Sequence, residues 1–173
     1  MQIRTRMCTS ADGYVTTPDG WPAQLADPAW SPEAFGFREF QATLDAVVMG
    51  RTTFEPALGA EQWPWGDLDV FVLGSSRPAG TPDRVVVDGD PLALLEQIRA
   101  ANRGGDVHLV GGPRTIETFR QLGALDELGL IVLSILLGGG MQLTPAVSIE
   151  TGLKLTGHRA LATGAVELLY DCD

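Results

Sequence analysis

Three short stretches place glycine beside hydroxyl or arginine side chains directly after an apolar run. They are Gly50-Arg51-Thr52-Thr53 after Ala46-Val-Val-Met49, Gly74-Ser75-Ser76-Arg77 after Val70-Phe-Val-Leu73, and Gly111-Gly112-Pro113-Arg114-Thr115 after Val107-His-Leu-Val110. A strand that passes through residues without side chains into a helix start leaves backbone N–H groups at the positive end of the helix dipole, which suits a phosphate. Arginine forks match phosphate oxygens. At any one of the three, a tight turn that uses glycine only for its backbone angles would look the same. Three together, if their strands are neighbours, would put three polar loops at the carboxyl edge of one sheet, where ligands bind in open α/β folds.

The elements that must position these loops follow from the apolar pattern. Residues 3–8 alternate weakly and read as a first strand, residues 45–50, 70–73 and 107–110 as buried strands, and 84–87 as a short one. Ser31-Pro-Glu-Ala predicts a helix start, with a capping hydroxyl, proline at the first position and an acid in the first turn. That helix is expected to run to about Leu44 and to bury Phe37, Phe40 and Leu44. Leu92, Leu95 and Ile98 mark a second helix. Pro113 opens a third, which turns Ile116 and Phe119 inward. An apolar strand is expected over 130–137, broken by Gly138-Gly-Gly140, and residues 153–158 and 165–170 read as a terminal antiparallel pair. Strands and helices alternate through most of the chain, which predicts one α/β domain over 1–173, three-layered, with a mostly parallel central sheet and an antiparallel edge. Residues 14–27, rich in turn signals and carrying Trp21, read as a surface loop and a candidate lid.

The chain has 173 residues and 45% hydrophobic content, enough for a substantial core. Its formal charge of 12 − 22 = −10 disfavours nucleic acid and anionic membranes as partners. Residues 1–7 contain no signal-peptide apolar region, and the longest apolar stretch is too short to span a bilayer, so a soluble, cytoplasmic protein is expected. Cys8, Cys172, His108 and His158 do not form a metal motif by spacing, and no metal is expected. A Cys8–Cys172 bridge and two free thiols both remain open. The chain has no GxGxxG, Walker A, GxSxG or HExxH motif, nor a nucleophile–base pair for hydrolysis. Gly138-Gly-Gly140 looks like a phosphate loop, but no helix start follows it, so a chain reversal or bulge is the better reading.

Taken together, Val48-Met-Gly-Arg-Thr-Thr-Phe-Glu55, Leu73-Gly-Ser-Ser-Arg77 and Val110-Gly-Gly-Pro-Arg114 resemble the three cofactor-binding loops of dihydrofolate reductases, in order and at similar spacing. Met7-Cys-Thr-Ser-Ala-Asp-Gly-Tyr14, Leu125-Asp-Glu-Leu128 and Leu136-Leu-Gly-Gly-Gly140 are more similar to the reductase domain of bacterial riboflavin biosynthesis and its stand-alone relatives. The resemblance implies a dihydrofolate-reductase-like fold, NADPH as cofactor, a small heterocyclic substrate and a homodimer. It assigns the pyrophosphate to Gly111, Gly112, Pro113 and the helix start with Arg114 and Thr115, beside Val110. It assigns phosphate contacts to Gly50, Arg51, Thr52 and Thr53, and the adenosine ribose and its 2′-phosphate to Leu73, Ser75, Ser76 and Arg77.

On the substrate side the resemblance points to Ser10 and Asp12, to Phe37 as a stacking ring and to Ser134 as a pocket hydroxyl. Dihydrofolate reductases carry a carboxylate on the first helix. The matching position here is Ala34, with Glu33 beside it but turned about 100° around the helix. Asp12 and Glu33 are therefore the candidate acids. Each also has a plainer reading, Asp12 as a turn aspartate and Glu33 as a first-turn acid. Phe37 and Ser134 equally suit a core. The expected activity is NADPH-dependent reduction resembling that of 5-amino-6-(5-phosphoribosylamino)uracil reductase. The alternative is a dinucleotide- or pterin-binding protein that has kept the fold without catalysis.

Overall fold

The computed structural model describes residues 1–144 and 152–172. Its strands are β1 (Ile3–Thr9), β2 (Leu44–Gly50), β3 (Asp69–Leu73), β4 (Val86–Asp88), β5 (Asp106–Gly111), β6 (Glu127–Val132), β7 (Lys154–Ala160) and β8 (Val166–Asp171). The helices are α1 (Phe37–Gln41), α2 (Arg51–Phe54), α3 (Pro91–Ala101) and α4 (Pro113–Gln121), with short 3-10 turns at Ala23–Ala26 and Glu55–Gly59. The strands form one sheet in the order β4-β3-β2-β5-β1-β6-β8-β7. β4, β3, β2, β5 and β1 pair in parallel, whereas β6, β8 and β7 pair antiparallel. The α/β class and the antiparallel carboxyl-terminal edge match the reading of the sequence.

The chain divides into two compact units, Met1–Thr5 with Thr43–Leu125, and Arg6–Ala42 with Asp126–Asp173. In the first, the central parallel strands are nearly continuous apolar runs, as strands covered on both faces require. Val47, Met49, Phe54, Val70, Val72 and Val85 form its core beside the glycine-bearing loops, with Trp63 and Trp65 packed against them. The register of β5 against β2 is clipped at its start, because the Asp45 carboxylate accepts the N–H groups of Arg103 (3.0 Å) and Gly105 (2.7 Å). At α3, Pro91 occupies the first turn and Asp90 caps the N–H of Leu92 at 2.9 Å. The second unit is centred on Cys8, Ala23, Phe35, Ile131, Leu133 and Ala165.

Three elements depart from the sequence expectation. The helix expected from Ser31 does not form there: Ser31 Oγ accepts the Ala34 N–H at 3.0 Å, but residues 32–36 make turns only. The helix starts only after Gly36, its N-cap in the left-handed region at φ 67°, and α1 is five residues long. Leu44 opens β2 instead of ending that helix. The strand expected over 130–137 stops at Val132, so Ser134 lies in the following loop. β6 is flanked by β1 and β8.

Among the described residues, no helix is long and apolar enough to cross a membrane, and no group of three or more His, Cys, Asp or Glu is placed to hold a metal ion. Cys8 and Cys172 are free thiols, which closes the question of a bridge between them.

Candidate functional site

The first unit brings the three glycine loops together. β2 lies between β3 and β5, with Gly50 in register with Leu73 and Met49 in register with Gly111. Because all three strands run the same way, their loops emerge at one edge. Two of the glycines in the floor there disfavour a Cβ. One added at Gly50 would sit 2.5 Å from Thr115 Oγ1, and Gly111 has φ 123°, a conformation that favours glycine. The Gly111–Gly112 peptide is cis.

Helix α4 begins at Pro113 with Gly112 as its N-cap; it has no side-chain cap and no acid in its first turn. Its positive end thus has neither a capping side chain nor a first-turn acid of its own, an arrangement that suits an anion. The four-residue α2 is far too short to persist alone. It is anchored by Phe54, fully buried and stacked on Trp65 at 5.9 Å with an interplanar angle of 17°. This anchor sets the direction of Arg51, whose stem lies across the end of β3, with Cβ 3.0 Å from where a Gly74 Cβ would be. Arg51 also meets Glu55 one turn on, at 3.2 Å. Arg51, Thr52, Ser75, Ser76 and Arg114 are exposed above the glycine floor, while Thr53, Leu73, Val110 and Gly112 are half-buried and Gly111, Pro113 and Thr115 are buried.

Arg77 behaves differently from its neighbours. Its guanidinium donates to the carbonyls of Val85 (2.9 Å) and Pro82 (2.6 Å), pinning the excursion between β3 and β4. Much of its hydrogen-bonding capacity is thus spent within the chain.

In the second unit, the candidate substrate residues are each engaged. Asp12 accepts the N–H groups of Leu137 (3.1 Å) and Gly138 (2.7 Å). Ser10, buried, accepts the Tyr14 N–H at 2.9 Å through Oγ and its hydroxyl donates a hydrogen bond to Asp12. The Ser10 hydroxyl first, then the two backbone N–H groups, hold the Asp12 carboxyl down at about 2. Glu33 is exposed and paired with Arg38, and its own backbone N–H and that guanidinium keep it below the usual value. Ala34 is exposed. Phe37 is half-buried, edge-on to Trp30 at 5.2 Å, and Ser134 donates to the Gly164 carbonyl at 2.8 Å.

The sequence reading missed a buried ion pair in this unit. Arg6 and Glu167 are 7% and 5% exposed and in salt-bridge contact; Glu167 also meets Arg159, and Arg6 donates to the Phe35 carbonyl at 2.7 Å. The Arg6 guanidinium lies over the rings of Phe37 (5.2 Å) and Phe40 (5.6 Å). The available signal was strand alternation, which puts Arg6 on the same face of β1 as the buried Cys8.

Comparisons with known proteins agree with this fold. "Uncharacterized protein YwjB" of Bacillus subtilis (strain 168) is 25% identical over 165 residues, 95% of this chain and 94% of that protein. A solved structure described as a putative riboflavin biosynthesis protein from Shewanella sp. PV-4 superposes with a TM-score of 0.83 at 24% identity, covering 100% of this chain and 99% of the other. A Thermotoga maritima diaminohydroxyphosphoribosylaminopyrimidine deaminase/5-amino-6-(5-phosphoribosylamino)uracil reductase has the same fold over 99% of this chain and 56% of its own, with a TM-score of 0.71 at 15% identity. The family model for the RibD C-terminal domain matches residues 2–166, and the chain belongs to that family.

Proposed function

We propose that the protein is an NADPH-dependent reductase of a small heterocyclic substrate, similar in reaction to the 5-amino-6-(5-phosphoribosylamino)uracil reductases of riboflavin biosynthesis. The observation that carries this reading is the register of β3, β2 and β5, which gathers three glycine loops and an uncapped helix start at one sheet edge. Family membership supports the reductase class. NADPH, when bound, supplies the hydride; the chain's part is to hold and orient it. On this reading Gly111, Gly112, Thr115 and the start of α4 take the pyrophosphate. Arg51, Thr52, Thr53, Ser75 and Ser76 take the adenosine half and its 2′-phosphate.

A non-catalytic dinucleotide- or pterin-binding protein is a second reading, and one observation favours it. Both candidate acids are already occupied, Asp12 by two backbone N–H groups and Glu33 by Arg38. A hydride transfer that also needs a proton would then draw it from water. NADPH consumption, measured with the riboflavin precursor and with dihydrofolate beside a binding titration, separates the two. Turnover of the precursor with little turnover of dihydrofolate supports the reductase, and binding without turnover of either supports the second reading.

A further inference from the structure

The segment that looked like a phosphate loop in the sequence does hold an anion, but the anion is part of the chain. Residues 135–142 curl around Asp12. Ala11 N–H meets the Ile135 carbonyl at 2.9 Å, Leu137 and Gly138 donate to the Asp12 carboxylate, and Val15 N–H meets the Met141 carbonyl at 2.8 Å. Met141 N–H reaches Thr16 Oγ1 at 2.8 Å, and Tyr14 bridges Gln142. The curl depends on its glycines. Gly138 has φ 68° and Gly140 φ 125°, and a Cβ on Gly140 would meet the Thr16 carbonyl oxygen at 2.1 Å.

On its other side, the Asp12 segment runs into a tight hairpin. Thr16 bridges Pro22, Thr17 N–H meets the Trp21 carbonyl at 2.7 Å, and Trp21 N–H returns to Thr17 Oγ1 at 3.1 Å. Trp21, Leu136 and Met141 are exposed on these two segments.

We infer that the Leu137–Gly138 backbone, with the Ser10 hydroxyl, is a carboxylate-binding socket filled by Asp12, and that this clasp fixes the Trp21 hairpin and the glycine loop as one body. Consecutive backbone N–H groups in a left-handed turn form an anion-binding concavity of this kind, and a carboxylate that accepts such donors stays ionised. Asp12 is thereby a positioning residue, and the ligand class of the socket is a small carboxylate. The inference does not depend on the reductase reading.

The test uses the full chain and the variants D12A, D12N and G140A, with W21F as a reference for emission. Backbone hydrogen exchange is followed in residues 13–22 and 135–142, together with Trp21 emission identified by its loss in W21F. D12A should speed exchange in both segments together by roughly an order of magnitude. Sodium formate should restore protection and emission, while sodium chloride at equal ionic strength should not. D12N, which keeps one acceptor oxygen, should loosen both segments less. G140A, which pushes the segments apart with Asp12 intact, should loosen both without responding to formate. If D12A does not fold, the paired loosening in D12N carries the same test. Unchanged exchange, loosening of one segment alone, or equal rescue by chloride and formate would overturn the inference.

Discussion

Arg6 and Glu167 form a salt bridge in the interior of the second unit, each more than nine-tenths buried. Burial lowers the Arg6 guanidinium from its usual value, Glu167 works against that, and Arg159 adds to it. Taking two charges from water costs several kcal/mol per ion, so such a pair adds little net stability, yet breaking it leaves an uncompensated charge. Glu167→Ala should therefore destabilise the protein by about 3–5 kcal/mol. Arg159→Ala, at a partner 57% exposed, should cost about 1 kcal/mol or less. Arg6→Met with Glu167→Leu should recover most of the loss. Urea unfolding of the four proteins checks this, and a mild effect of Glu167→Ala would mean that the pair is wetter than described.

The two thiols should differ sharply. Burial pushes the Cys8 thiol up to about 12, with the Arg6 charge only partly offsetting it, whereas Cys172 is half-buried. Thiolate is the reactive form. Titration with an aromatic disulfide at mildly alkaline pH should label the native protein once, at Cys172, and the unfolded protein twice. Fast native labelling of Cys8, found by its loss in C8S, would contradict this.

How much of this was legible beforehand depended on the kind of interaction. The parallel strands around Val47 and Val72 and the loops that follow them could be read because apolar runs and glycine–arginine sequences are local. The late start of α1 was not, because its left-handed N-cap Gly36 is set against Arg6 and Arg159, residues far away in the chain. The occupant of the Gly138–Gly140 turn was hidden for the same reason. Its chemistry follows from the glycines, but its partner Asp12 lies 126 residues earlier. Arg77 looked like a free phosphate ligand because sequence does not show which carbonyls will come within its reach.

Asp12 also sets a pH dependence. Its folded value of about 2 lies below the ordinary 3.8, so its ionisation favours the clasped form. That contribution is complete above the ordinary value and is lost as pH falls through about 2. The amides of Leu137 and Gly138 should therefore stay protected down to about pH 4 and lose protection relative to the rest of the sheet as the pH approaches 2. In D12N the step should disappear. Loss of protection centred well above pH 4, or an unchanged step in D12N, would assign the dependence to another group.

The central claim is that the gathered ends of β3, β2 and β5 bind NADPH, and the most direct measurement is a fluorescence titration of NADPH and NADH against wild type, R51A and R77A. Arg51 lies across the end of β3, so R51A should weaken NADPH by about ten- to a hundredfold and leave NADH nearly unchanged. Arg77 is bound to the Val85 and Pro82 carbonyls, so R77A should loosen the 78–85 excursion and shift both cofactors alike. Wild-type protein that prefers NADPH, with that preference lost in R51A alone, is the predicted result. Wild-type protein that binds neither cofactor would contradict the account.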